Sequence, residues 1–273
     1  HDDPFDPNET GPMVRKKASE LGIEVYLAEF SGMYMEDKGK DQLVYSFPVD
    51  DKGQVELPGM KDDVEYDKPF RINPENTLVM ARGIGSTVKT GNLSWRVACL
   101  NLESQGYTLI NPVICHDICN DKWYNQIVFQ QNDIRTPNTV LVRHSEGAED
   151  AAERLGNKFP MILKTAVGSR GVGVIWIESL KALHSVIQLL HREDEFVDVL
   201  LQEYIKTDYD VRVIIAAGEI LGAIKRPVVG DDFRSNVSQG SEPVSHELTE
   251  REAQESLRAA ESVQGQVVGV DFI

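Results

Sequence analysis

The sequence predicts a mixed α/β and α+β chain with two domains. Three observations carry this. The chain has 273 residues, room for about two domains with sizeable cores. Helix-like and strand-like periodicities alternate through its first third, as in a small αβ layer domain built on a parallel sheet. Further on, "ILKTAVGSRGVGVIWIES" at 162–179 runs strand, glycine-rich loop, strand, and a two-strand hairpin "VRVIIAA" and "EILGAIKR" follows.

Taken in order, Pro12 opens a helix that places Val14, Ala18 and Leu21 on one face and closes at Gly22, since proline suits a helix start and glycine its end. "IEVYLAEF" is expected as a strand. Residues 36–70 are polar and irregular, with short strands expected at "LVYSF" and "QVEL", and "TLVMAR" is the next strong strand. A helix from about Leu93 to Ser104 ends at Gly106, and "YTLINP" follows as strand and turn. The domain boundary is placed at 112/113, with residues 137–207 as a smaller lid subdomain of the second domain. A helix from about Asp117 to Gln131 carries Lys122 near its start. "NTVLV" precedes a short helix ending at Gly156, then the strand–loop–strand unit, a helix from about Leu180 to Leu190, and "VLLQEYI". The tight turn "AAGE" joins the next two strands. Ala253, Leu257, Ala260 and Val263 mark a helix by their spacing, and "QVVGVDFI" is the last element.

Composition excludes several functions. The chain is 41% hydrophobic and 26% charged, with a formal charge of −16, so it has no cation surplus for sequence-independent nucleic-acid binding. No apolar run approaches the ~20 residues of a membrane span. Cys99, Cys115 and Cys119 are an odd number and fit a reducing cytoplasm better than a disulfide framework. "CHDIC" at 115–119 has ligand-type residues without a second pair, so free thiols are the simpler reading. His184 and His191 share a helix face without a third ligand.

The glycine loop carries the chemistry. Without Cβ atoms, backbone N–H groups reach phosphate oxygens. No Lys-Ser or Lys-Thr follows the glycines, which excludes a Walker loop, and a strand follows where a dinucleotide fingerprint needs a helix. By itself the segment is most simply a solvent hairpin.

The order of further residues decides otherwise. Lys122, Lys164, "GSRGVGV", "QEYIK" at 202–206, "YDVR" at 209–212, "IKR" at 224–226, "DDFRSN" at 231–236 and Asp271 resemble the ATP-grasp ligases, and most of all the RimK type, from about Thr77 to Ile273. The resemblance implies two α+β subdomains that clamp ATP, preceded by a small Rossmann-like domain. Lys122 and Lys164 would neutralise phosphate charge. Gly168, Ser169, Arg170, Gly171, Val172 and Gly173 would form a mobile lid. Glu203, Tyr204, Ile205 and Lys206 would border the adenine, and Asp210 and Arg212 would contact nucleotide, with an ion-pair role for Arg212 equally open. Arg226, Arg234, Ser235 and Asn236 would hold the transferring phosphoryl group or the carboxylates. Asp271 would bind Mg²⁺ or Mn²⁺.

The implied reaction activates an acceptor carboxylate as an acyl phosphate, which the amino group of glutamate or another amino acid then attacks. The acceptor would be a protein C-terminus, such as a ribosomal protein tail. Alternatives are a small-molecule or carrier-protein acceptor, a catalytically silent nucleotide-binding regulator, or a non-nucleotide αβ module. No membrane or nucleic-acid partner is expected, and a homo-oligomer stays open. His1 and the apolar end at Ile273 suggest a piece clipped at both termini. A glutamate and an asparagine that complete the family's metal site would lie beyond Ile273, so the piece alone is expected to be inactive or very weak.

Overall fold

The computed structural model describes residues 7–26, 28, 33–34, 39–44, 69–81, 93–166, 174–193, 197–228 and 242–273. The chain divides into two compact units, residues 1–84 with 91–110, and residues 85–90 with 111–273.

In the first unit, helix α1 spans Pro7–Glu20, so it begins before the expected Pro12. Gly22 follows with φ +74°, the left-handed conformation in which glycine ends helices. Residues 23–26 form no strand. Their apolar–polar alternation fits a strand, but a strand needs a ladder partner, and none pairs with them among the described residues. Among the described residues the expected parallel sheet has two strands, β4 (Leu78–Met80) beside β5 (Thr108–Ile110). A separate antiparallel sheet joins β1 (Met33–Tyr34), β2 (Gln42–Val44) and β3 (Phe70–Ile72). Helix α2, Leu93–Ser104, buries Cys99 and Leu102. The Tyr107 hydroxyl lies between the carbonyls of Lys40 and Ile72, at 2.7 and 2.8 Å, which ties β3 to the chain after α2. "QVEL" lies outside the described residues.

The second unit begins with two helices where the sequence predicts one. Helix α3 spans Val113–Asn120 and α4 spans Lys122–Gln131. Asp121 separates them in an extended conformation, φ −110° and ψ 112°, and its carboxylate accepts the N–H groups of Trp123 and Tyr124. It is thus an N-cap for α4.

Four antiparallel strands follow, in the order β6 (Thr139–Val142), β9 (Val199–Glu203), β7 (Met161–Thr165), β8 (Val174–Ile177). Strand residues alternate between two faces. Met161, Leu163, Leu201 and Ile177 point to one face and are buried with Leu183 and Ile187 of α6 (Leu180–Glu193). Helix α5, Ala148–Arg154, closes the same core through Ala148, Ala151 and Ala152. Ile162 pairs with both Trp176 and Gln202, so these three and Lys164 share the other face.

A second antiparallel sheet has the order β12 (Val244–Ser245), β11 (Glu219–Pro227), β10 (Tyr209–Ala216), β13 (Val267–Phe272). Val211, Val213 and Ile215 face helix α7, Glu250–Ser262, and pack on Ala260. That leaves Asp210 and Arg212 on the face away from α7. Ala217 and Gly218, with φ +51° and +78°, make the turn between β10 and β11, the sign of φ that twisted hairpins require.

Candidate nucleotide site and charge array

Two lysines meet at the end of β7. Lys122 sits at the first turn of α4, where its backbone N–H donates to the Ala166 carbonyl at 2.9 Å and its Nζ to the Thr165 carbonyl at 3.1 Å. Lys164 projects from β7 and donates its Nζ to Gln202 Oε1 at 2.7 Å. Gln202 in turn donates to the Thr139 hydroxyl at 2.8 Å. Burial lowers the pKa of both ammonium groups, and the charge of Lys122 lowers that of Lys164 further. Two partly desolvated cations that destabilise one another, one of them hydrogen-bonded to a neutral amide, form a site that an anion relieves.

Beside them lies an apolar surface. Trp176 meets Tyr204 edge to face, with ring centroids 4.7 Å apart, a favoured aromatic geometry. Ile205 stands 41% exposed just beyond, and Lys206 is exposed. Glu203 closes the strand end: its Oε1 accepts the Asn138 N–H at 2.7 Å. The residues of this face therefore fit a nucleotide, with cations for phosphate and an aromatic and aliphatic surface for a base.

The second sheet carries a four-member charge array. Asp210 pairs with Arg226 across β10 and β11, and Arg212 with Asp271 across β10 and β13, so register alone sets all four on one face. Arg226 donates Nε and Nη2 to the two Asp210 oxygens, both at 2.6 Å, and its Nη2 also lies 3.1 Å from Asp271 Oδ1. Arg212 donates to both Asp271 oxygens, at 2.7 and 2.5 Å. Arg226 is 3% exposed and spans two carboxylates. The Arg212 and Asp271 side chains are 41% and 43% exposed. Arg212 is thus ion-paired with Asp271 in this structure.

Asp271, the expected metal ligand, has both oxygens occupied by guanidinium groups. No group of three His, Cys, Asp or Glu that could hold a metal comes together among the described residues. Asp271 would supply one of the several oxygen ligands that a Mg²⁺ ion takes. Gly168, Ser169, Arg170, Gly171, Val172, Gly173, Arg234, Ser235 and Asn236 lie outside the described residues.

Sequence reasoning missed Gln202, Thr139 and Trp176. "QEYIK" contains Gln202, but its place on the Lys164 face depends on the β7–β9 register. The Asp210–Arg226 pair had no signal either, because the register between β10 and β11 appears only in the fold.

A family model described as "RimK-like ATP-grasp domain" matches residues 119–273, more than half of the chain, and the chain belongs to that family. It is 30% identical over 221 residues to a probable alpha-L-glutamate ligase of Histophilus somni, covering 78% of this chain and 72% of that protein. It is 29% identical over 223 residues to the coenzyme gamma-F420-2:alpha-L-glutamate ligase of Methanococcus maripaludis, covering 78% and 74%. A ribosomal protein bS6–L-glutamate ligase of Escherichia fergusonii is 29% identical over 178 residues, covering 64% and 58%. The chain spans only 38% of a further probable alpha-L-glutamate ligase, of Rhodopirellula baltica, 32% identical over 155 residues. Among solved structures, the ATP-grasp ligase PsnB with minimal precursor, Mg and ADP superposes with a TM-score of 0.61 at 15% identity, over 98% of this chain and 81% of that one. No helix among the described residues is long and apolar enough to cross a membrane.

Proposed function

We propose that the protein is an ATP-dependent carboxylate–amine ligase that joins glutamate to an acceptor carboxylate. The observation that carries the reading is the convergence of Lys122 and Lys164 at the end of β7, both with lowered proton affinity. A polyphosphate there restores the favoured charge of both side chains. The Trp176 and Tyr204 surface receives the base, and "GSRGVGV", a segment of the smaller lid subdomain 137–207, is our candidate for covering the phosphates.

In the reaction, the acceptor carboxylate attacks the γ-phosphorus of ATP and ADP leaves. The amino group of glutamate then attacks the acyl carbon and phosphate leaves. Such phosphoryl transfer asks the protein for alignment and charge stabilisation more than covalent chemistry. Arg226, with two carboxylates on its guanidinium, fits a fixed support for the array. Arg212, more exposed, and Arg234 with Ser235 and Asn236 are our candidates for meeting the carboxylates. Its family relatives act on acceptors as different as a coenzyme and a ribosomal protein by their names, and the protein C-terminus is our choice for this chain.

One observation favours a second reading. Asp271 is held by two guanidinium groups, which suits a nucleotide-binding regulator without transfer chemistry. Incubation of the full-length protein with ATP, Mg²⁺ and glutamate separates the two. ADP release that depends on an acceptor carboxylate supports the ligase, and ATP binding without ADP release under any acceptor supports the regulator.

A further inference from the structure

Two thiols lie one helical turn apart on α3, outside the residues assigned above. Cys115 and Cys119 have their sulfurs 4.0 Å apart. Cys115 is 2% exposed among Ile118, Val128 and Val263, whereas Cys119 is exposed. The junction that follows connects them to the lysines: α3 ends at Asn120, Asp121 caps α4, and Lys122 binds the carbonyls of Thr165 and Ala166.

We infer that Cys115 and Cys119 form an oxidisable dithiol, modified by peroxide to a disulfide that displaces Lys122 and weakens nucleotide binding. The exposed sulfur reacts first. Cys119 thiolate attacks one peroxide oxygen, the O–O bond breaks, and after protonation of the leaving hydroxide the products are a sulfenic acid and water. The Cys115 sulfur then attacks the Cys119 sulfur: the S–S bond forms, the S–O bond breaks, and the hydroxyl leaves as water with the Cys115 proton. The pair loses two electrons and the peroxide gains them. This is the reversible branch of cysteine oxidation, which a neighbouring resolving thiol favours.

The order of reaction has electrostatic support. The hydrogen bond from Cys115 lowers the pKa of Cys119, against an opposing effect of burial. The same contact and burial raise that of Cys115. Burial and the charge of Glu103 push Cys99 up to about 12, so it is the inert thiol of the chain.

The displacement follows from geometry. Neighbouring residues one turn apart keep their Cβ atoms about 5–6 Å apart, while a disulfide needs about 3.5–4.5 Å. Closing the bond therefore distorts the last turn of α3, and the first residues to move with it are Asn120, Asp121 and Lys122.

The consequence for nucleotide rests on the proposed function, so the test reads the thiols and the nucleotide separately. The full-length protein is treated with hydrogen peroxide, alkylated and analysed by peptide mass spectrometry, and ADP affinity is measured calorimetrically before and after. The expected result is loss of two hydrogens from the peptide holding Cys115 and Cys119, with Cys99 still alkylated. ADP affinity should fall by roughly tenfold or more, as ångström-scale misplacement of a binding group does, and recover with dithiothreitol. Cys119→Ser should keep its ADP affinity through the same treatment. Oxidation of Cys119 to sulfinic acid with Cys115 still alkylated would overturn the inference, as would a disulfide that leaves ADP affinity unchanged. Absence of ADP binding in the untreated protein would refute the proposed function and the coupling, while the mass still decides whether the dithiol exists.

Discussion

Lys164 stands in an environment that disfavours its own charge, flanked by Lys122 and bonded to the neutral amide of Gln202. Its replacement by methionine should weaken ATP binding by about 1.5–3 kcal/mol, roughly ten- to hundredfold, the range of a lost charge-assisted hydrogen bond. Titration calorimetry measures it, and unchanged affinity would remove Lys164 from the site. The lowered pKa gives a second signature. As pH rises toward the ordinary lysine value of 10.5, part of Lys164 is neutral in the free protein, and bound polyphosphate draws its proton back. ATP binding at alkaline pH should therefore take up protons, seen as a dependence of the binding heat on the buffer's ionisation enthalpy. Arg226 makes a different prediction because it is buried on a carboxylate. Arg226→Met leaves Asp210 unpaired and should cost about 3–5 kcal/mol of folding stability, while Arg226→Met with Asp210→Leu should cost much less. Denaturant unfolding compares them, and equal losses would contradict the account. At this scale the sequence showed which residue types were present, Lys164 above all. It did not show that Asp210 and Arg226 neutralise one another, since that depends on which residues register places opposite.

Elements reveal where local chemistry and tertiary context agree. The β7–β8 hairpin and the β10–β11 hairpin follow directly from alternation and glycine. The break at Asp121 was also written in the sequence: an aspartate directly before Lys122 is an N-cap signal, overlooked because apolar spacing runs through it. "IEVYLAEF" shows the converse, where alternation with no ladder partner among the described residues gives no strand over 23–26. At the β10–β11 turn, Ala217 holds φ +51°, which costs an L-residue about 1–2 kcal/mol. Ala217→Asn keeps the N–H that donates to the Gln266 carbonyl at 2.7 Å and should raise stability by about 1 kcal/mol; no gain in thermal unfolding would argue against strain there. Helix α7 offers a pH test. Thr249 and Glu252 form a capping box, and Glu252 also lies 3.3 Å from His246 Nε2. The backbone N–H of Thr249 is the first cause of the lowered Glu252 pKa. A carboxyl lowered from 4.5 stabilises the fold above that value and loses its contribution as pH falls through the folded pKa. Glu252→Gln should therefore destabilise at neutral pH and make progressively less difference below pH 4.5.

The whole molecule joins a small αβ unit to a unit with two antiparallel sheets, each with one face under a helix layer; the other face carries Lys164 and Gln202 among apolar side chains in the first sheet and the Asp–Arg array in the second. Alternation showed which residues of one strand share a face, and family order named Lys164, Asp210, Arg212, Arg226 and Asp271, but the cross-strand neighbours came only with register. The acceptor is another matter, since relatives with the same domain carry the names of different acceptors. The most direct test of the central claim is mass spectrometry of the full-length protein incubated with Mg-ATP, glutamate and a panel of peptide and small-molecule carboxylates. The account predicts acceptor masses that rise in glutamyl steps only when ATP is present, with peptide C-termini preferred. No glutamyl addition to any acceptor, with ATP binding demonstrated in the same sample, would contradict it.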